Sequence, residues 1–413
     1  MTAWTPVWQV SIDGGTFTTV TLSNLTISSG RSDIYAQPIA GYCSIELVNT
    51  DQTTLAIELN DSIAIQVKNA SGTFTPIFGG YVTDIDQSVK TAGSNAIVQT
   101  FKIIALGALA KLPKILTQGV LTKAFDGTQI YSILSGILFN AWDEVPAATT
   151  WATYTATETW ANAQNSGLGE IDTPGDYELT DRAASTTDVY SLIAGLATSG
   201  LGYIYEDAQG RIAYADSTHR SQYLAANGYL EITGNHALYR GIATSRRIGD
   251  IRNKVTITYK NGAQQTASNT TSQTTYGEQG QNITTSLHNA ADALAQANFY
   301  LSLRAYPQSF FKSITFELTN PEIDDSDRNA LISVFMGLPL DIQNLPTNMT
   351  GGRFQGFVEG WTFSAGFNKL SVTLLLSPIA FSLQAMKWEN VPITEAWNTI
   401  STTLDWTNAT IVA

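Results

Sequence analysis

The sequence predicts a mainly β protein with an α+β insertion and two related β-barrel domains per chain. Three observations lead there. Residues 7–110 divide into short apolar or alternating runs separated by Gly, Asn and Asp, the pattern of successive strands. The centre changes to helical spacing, with Ile130, Ile133, Leu134, Ile137 and Leu138 on one face. Residues 63–83, IAIQVKNASGTFTPIFGGYVT, then recur at 340–359 as LDIQNLPTNMTGGRFQGFVE. In both copies a strand ending in Ile-Gln meets a polar loop and then Phe-x-Gly-aromatic-Val. Phe78, Gly80 and Val82 correspond to Phe354, Gly356 and Val358.

At 413 residues the chain exceeds one ordinary core, so several domains are expected. The first barrel takes residues 1–112, with VWQVSI, TFTTVTLSNLTI, YCSIELVN, SIAIQVK, PIFGGYVTDI and AIVQTFKIIAL as its strands. An α/β insertion follows over 113–250. It holds a helix over 126–140 with Asp126 as N-cap, and a second over 185–200. Ser185 and Asp188 have capping spacing there, and Gly200 suits a left-handed stop. GYIYEDAQGRIAYAD reads as a hairpin, with Glu206 and Asp207 in its turn. These two are not a glycosidase pair, because adjacent strand residues point to opposite faces. The second barrel, with two helices, covers 251–384. Its strand 252–260 precedes a polar Gly/Ser/Thr/Gln-rich stretch, 262–284, which reads as a loop. Helices over about 286–305 and 325–336 come next, the latter capped in the Asp324, Asp325, Asp327 stretch, and then strands.

A Trp-spaced segment also occurs twice. Trp142, Trp151 and Trp160 map without a gap onto Trp388, Trp397 and Trp406, with Pro146 on Pro392 and Asn162 on Asn408. The first copy lies in the insertion, over 142–163, and the second in a C-terminal tail, 385–413. A step of nine positions from ring to ring reverses the face on a strand and on a helix alike, and the prolines bar a continuous helix. The rings therefore suit separate pockets. They fill their own domain's core, latch the segment to a neighbouring subunit, or form a sugar-stacking platform. Each ring buries ~150–250 Å², a few kcal/mol of gross burial at ~25 cal/mol per Å².

Composition narrows the partners. Charged residues are only 14% of the chain, and the net charge is −13 with no Lys/Arg run. Stable nucleic-acid binding needs a basic face, so it is not expected, whereas an acidic wall suits DNA that slides past. The single Cys43 lies in an apolar strand and excludes an intramolecular disulfide. The N-terminus lacks a signal-peptide pattern. Apolar runs such as LSVTLLLSPIAF are shorter than the roughly 20 residues of a membrane span. His219, His236 and His288 are scattered, and no Walker A, G-x-S-x-G, C-x-x-C or H-E-x-x-H motif occurs. No catalytic residue, cofactor or metal site is expected.

GRSDIYAQPIAGYCSIELVNTD at 30–51, followed by IFGGYVTDI at 77–85, resembles the N-terminal region of tailed-phage minor tail proteins of the baseplate-hub type. Gly30, Arg31, Gln37, Pro38, Gly41, Phe78, Gly80, Tyr81 and Val82 carry the resemblance. It continues through GYIYEDAQGRIAYAD, NKVTITY and GFVEGWTF to LLLSP, nearly the whole chain. The resemblance implies a non-enzymatic homotrimer at the tail tip, assembled in the host cytoplasm. Its two barrels per chain would face a hexameric ring of distal tail or tube protein. Other tail-tip or fibre proteins would be partners, DNA would leave through the centre without stable binding, and this chain alone would not insert in a membrane. Gly30, Arg31, Gln37, Pro38, Gly41, Phe78, Gly80, Tyr81, Phe354 and Gly356 are then interface candidates, and the Trp segments are candidate latches. Little sequence follows the second barrel, so no long fibre-binding, peptidase or lysozyme-like extension is expected. The alternative is a receptor- or glycan-binding tail protein using its Trp faces; a cell-wall hydrolase lacks a visible catalytic set.

Overall fold

A computed structural model describes residues 4–32, 36–50, 55–92, 97–141, 149–150, 168–238, 242–245, 247–307, 310–347, 349, 352–378, 385–386 and 411–412. The chain is mainly β. One sheet of thirteen strands dominates it. Its order is Ala243–Ser245, Phe310–Glu317, Lys369–Pro378, Phe354–Gly366, Leu22–Gly30, Ile39–Asn49, Ile97–Leu106, Phe74–Ala92, Ser62–Lys68, Trp8–Ile12 and Thr18–Val20. Pro339–Gln343 pairs the first part of Phe354–Gly366, and Leu230–Thr233 runs parallel to Pro339–Gln343.

The recurrence read in the sequence has a counterpart in strand pairing. Ile63, Ala64 and Ile65 lie opposite Gly80, Gly79 and Phe78. Leu340, Asp341 and Ile342 lie opposite Gly356, Gln355 and Phe354. The correspondence that aligns the motifs, with a loop one residue shorter in the second copy, aligns the registers as well. Each long strand then bulges just past the matched Val, between Val82 and Asp84 and between Val358 and Gly360. Beyond the bulge each continues along a return strand, Asp84 opposite Ile104 and Gly360 opposite Leu375.

The Phe-x-Gly pattern now has a physical reason. Strand residues two apart share a face, so each Phe ring can fold over the Gly. A Cβ on Gly80 would lie 2.8 Å from the Phe78 ring and 2.4 Å from the Leu106 carbonyl oxygen. On Gly356 it would lie 2.8 Å from the Phe354 ring and 2.2 Å from the Ser377 carbonyl oxygen. Only a residue without a Cβ fits beneath the ring and against the neighbouring backbone.

The expectation of two closed barrels is not met among the described residues, where the strands form one open-ended path. The outer edge of Leu22–Gly30, which a closed first barrel would need, is occupied by residues 360–366 of the other array. The two arrays therefore share a sheet and one continuous core, which runs from Trp8, Ile27 and Ile65 to Phe316, Phe363 and Leu374.

A second core gathers Leu109, Ile130, Leu134, Ile171, Ile193, Leu196, Tyr214 and Leu287. Its elements include the helices Asp126–Ala141 and Val189–Ser199, the strands Leu168–Thr173, Tyr203–Glu206 and Ile212–Ala215, and a further three-stranded sheet. That sheet lies in the stretch expected to be a loop. Residues 262–284 contain the strand Ala263–Ser268, the helix Thr270–Tyr276 and the strand Gly280–Thr284. Ser272 N–H donates to the Asn269 side chain at 2.9 Å, capping the short helix. Only Ala267 and Ile283 face the core, too few to stand out from the polar background. Val255, Ile257, Ala293 and Ala297 join this second core too, although the sequence places 251–384 with the second barrel. Conversely, Leu230–Thr233 and Ala243–Ser245, placed in 113–250, join the large sheet.

Caps differ in detail. Asp324 accepts from Asp327 N–H at 2.8 Å, a cap within the acidic stretch as expected, whereas the helix expected over 185–200 starts only at Val189, so that Asp188 rather than Ser185 is its cap, accepting from Ser191 N–H at 2.8 Å. Gly200 has an ordinary φ of −85°, and Leu201 takes the left-handed turn at φ 55°. Asp126 is the first residue of its helix; instead of capping it, its carboxylate is buried and accepts from Tyr177 N–H and Tyr214 O–H. Trp142, Trp151, Trp160, Trp388, Trp397 and Trp406 lie outside the described residues. In the flanking sequence, Ala385–Met386 pairs with Ile411–Val412.

Candidate functional site: a buried junction of β arrays and insertion

The segment 30–41 leaves one strand and enters the next, and its residues tie three parts of the chain together. Gly30 begins the junction at φ +91°, where a Cβ would sit 2.3 Å from the Glu359 carbonyl oxygen. This close approach lets Arg31 N–H donate to that oxygen at 2.8 Å. The Arg31 Nε donates to Glu359 Oε2 at 2.7 Å.

Glu359 is the extra residue of the bulge between Val358 and Gly360. A bulge re-aims a side chain, and this one faces the core. Arg220, at the start of the helix His219–Asn227, donates from Nη1 to Oε1 at 2.7 Å and from Nη2 to Oε2 at 3.0 Å. Ser377 Oγ donates to Oε1 at 2.5 Å. Burial alone would raise the Glu359 carboxyl, but Arg220 and Arg31 outweigh it and hold the group at about 2. The Tyr203 ring completes the cluster, with the Arg220 and Arg31 guanidinium carbons 4.6 and 5.2 Å from its centroid.

The remaining motif residues clamp the insertion. Gln37 Nε2 donates to the Gly202 carbonyl at 3.0 Å, and its Oε1 accepts from Ile204 N–H at 3.1 Å. The Pro38 carbonyl accepts from Tyr190 O–H at 2.6 Å. Gly41 N–H donates to Glu206 Oε2 at 2.7 Å, and Leu109 N–H donates to Oε1 of the same carboxylate. Burial pushes Glu206 up to about 7 against those two donors. Its neighbour Asp207 accepts from Gln209 N–H and Arg211 N–H, both at 2.9 Å, and holds the hairpin turn. Tyr81 is buried under Lys111, whose Nζ lies 4.4 Å from the ring centroid. Phe78 and Phe354 are core residues, 3% and 5% exposed.

A second polar cluster adjoins the first through the same helix. His219 Nδ1 lies 2.8 Å from Asp172 Oδ2, which also accepts from Asp216 N–H at 2.9 Å. Asp216 accepts from Thr218 N–H and His219 N–H at the helix start. Burial pushes His219 down to about 3 and Asp126 and Asp216 each up to about 7. Among the described residues no group of three or more His, Cys, Asp or Glu side chains is arranged to hold a metal.

The structure thus brings Gly30, Arg31, Gln37, Pro38 and Gly41 into one junction. It places Gly80 and Gly356 at matched positions, each 2.2–2.4 Å (by an added Cβ) from a partner-strand carbonyl. Sequence reasoning passed over Glu359 and Arg220 and placed Glu206 in the hairpin turn, whereas Glu206 ends the strand Tyr203–Glu206 and its carboxylate accepts from Gly41 and Leu109 N–H. The available signal was a lone acid in the otherwise apolar FQGFVEGWTF. His219 and Asp172 are 47 residues apart, and no local spacing joins them.

The overall architecture is that of tail proteins of phages and prophages. The chain is similar to a 43 kDa tail protein of prophage MuSo2 from Shewanella oneidensis, with a TM-score of 0.53 at 11% identity over 91% of this chain and 99% of that one. It is similar to a tail protein from Neisseria meningitidis MC58, with a TM-score of 0.57 at 11% identity over 92% and 98%. Prophage tail protein gp18 from Listeria monocytogenes EGD-e gives 0.50 at 10% identity over 89% and 94%. No family model matches the sequence, and no curated protein matches it. The resemblance read from the sequence and the fold agree on phage tail proteins.

Proposed function

We propose that this chain is the structural hub at the tip of a tailed-phage tail, a virion component assembled in the host cytoplasm. Three copies surround the DNA exit channel and adapt a hexameric tube or distal tail ring to three-fold symmetry. One observation carries the reading: within a fold shared with phage tail proteins, two strand arrays repeat the same register and the same bulge. A three-fold object matches a six-fold one when each subunit offers two equivalent faces. The arrays are the two related barrel-type domains of that scheme, joined through the Glu359 junction, with the insertion mounted on their side. On this reading, Gly30, Arg31, Gln37, Pro38 and Gly41 shape the docking faces from within. A net charge of −13 per chain favours an exit that DNA passes without sticking.

The test is the mass of the purified chain by light scattering, alone and with its tube or distal-tail partner. A trimer in either setting is expected. A chain that stays monomeric in both, or assembles with another stoichiometry, overturns the reading.

A further inference from the structure

The two β arrays are equivalent in register but not in what they hold. In the second array, residues 360–366 use one edge for Lys369–Pro378 and the other for Leu22–Gly30. Gly360 faces Gly30, Thr362 faces Ser28 and Ser364 faces Thr26. The corresponding stretch of the first array is 84–90, reached past the matched bulge and paired to Ile97–Leu106. No strand occupies its other edge among the described residues. Asp84, Gln87 and Val89 are exposed, whereas their covered counterparts Gly360, Phe363 and Ala365 are buried; Ser88 and Ser364 are both exposed.

The matching strand is also present and unused. Leu22–Gly30 sits beside Ile39–Asn49, as Ala243–Ser245 sits beside Phe310–Glu317. Those inner neighbours occupy equivalent places, Ile45 opposite Ile103 and Ile314 opposite Leu374. Among the described residues Ala243–Ser245 ends the sheet, with one edge paired. Each chain therefore carries an internal joint and, near the two ends of the sheet, the separated halves of a second one. Unpaired backbone donors and acceptors along an edge are a template for strand addition.

Resting on the reading of two related β arrays, we propose that residues 84–90 of one copy take up Ala243–Ser245 of a second copy, antiparallel, so that the sheet continues between protomers. The register follows from the internal joint. Ala243 lies opposite Ser313, as Thr26 lies opposite Ser44, so Ala243 stands in the place of Thr26. Thr26 faces Ser364, whose counterpart is Ser88, so Ala243 faces Ser88 of the neighbour. The joint is head-to-tail, and it closes into a ring if its rotation does.

Directly opposed strand residues bring their Cβ atoms to about 4.5–5.5 Å, within reach of a disulfide. The experiment mixes the single variants Ser88→Cys and Ala243→Cys of the full chain, oxidises them and runs non-reducing electrophoresis beside the native mass. Cys43 is buried, so wild type is the blank. A covalent dimer in the mixture, absent from either variant alone and reversed by reductant, is expected. The double variant should give higher covalent oligomers. If either variant misfolds by circular dichroism, Gln87→Cys with Thr244→Cys, the next pair in the same antiparallel register, tests the same joint. A trimer by mass with no cross-link in either pair overturns the strand joint and leaves the hub reading intact. A cross-link in an assembly of another size keeps the joint and overturns the trimer. A chain that is monomeric and uncross-linked overturns the joint.

Discussion

At the scale of single residues, the charged junction sets the largest energies. Glu359 is 2% exposed and sits between two guanidiniums. Ion pairs of this kind cost desolvation to bury, so they add little net stability against an apolar replacement. Removing one partner, however, strands the other charges and costs about 3–5 kcal/mol. Glu359→Gln keeps the size and removes the charge, so its unfolding free energy at pH 7 should fall by about 3–5 kcal/mol. The pH dependence has a definite sign. Folding depresses this carboxyl from 4.5 to about 2, so its contribution is complete above 4.5 and is lost as pH falls towards 2. Urea titrations of wild type and variant should therefore converge as pH drops below 4.5. A gap that is constant with pH would mean the variant fails through packing alone.

At the scale of elements, the bulge and the Phe-x-Gly pair act together. The glycine lets two strands meet beneath an aromatic ring, and the bulge turns the next residue across the sheet. Thr83 takes that place in the first array and Glu359 in the second. The same backbone device thus carries a half-buried threonine once and the junction's anion once. Gly80→Ala and Gly356→Ala each force a Cβ to within 2.4 and 2.2 Å of a backbone oxygen. Overpacking of this kind costs about 1–3 kcal/mol, so both variants should melt several degrees below wild type, and by similar amounts. Gly136→Ala, at an open helical position, is the control and should be neutral or stabilising by up to about 1 kcal/mol. If Gly356→Ala matches that control, the close approach of the strands is not rigid.

At the scale of the whole molecule, assembly is where the Trp segments enter. On the hub reading, Trp142, Trp151 and Trp160 latch one neighbour, and Trp388, Trp397 and Trp406 latch the next. Trp397→Ala with Trp406→Ala should then leave the melting of the isolated chain unchanged and raise the concentration at which the assembly forms. Sedimentation across a dilution series reads both. Unfolding of the isolated double variant would make the rings core residues and end the latch idea. The low charged fraction, 14%, suits faces that become buried against other subunits.

The sequence by itself determined the local and the repeated. Alternation specified the strands of 7–110, the acidic stretch at 324–327 specified a cap, and the Phe-x-Gly recurrence specified two arrays of one register. These follow from forces acting within a few residues or between adjacent strands. Only the tertiary structure decided that the arrays share a sheet, that 262–284 is structured, and that Glu359 meets Arg31 and Arg220 from 328 and 139 residues away. Burial of a charge is decided by what closes over it. Arg31 looks like any surface arginine in sequence until a bulge in a distant strand aims a carboxylate at it where water is excluded.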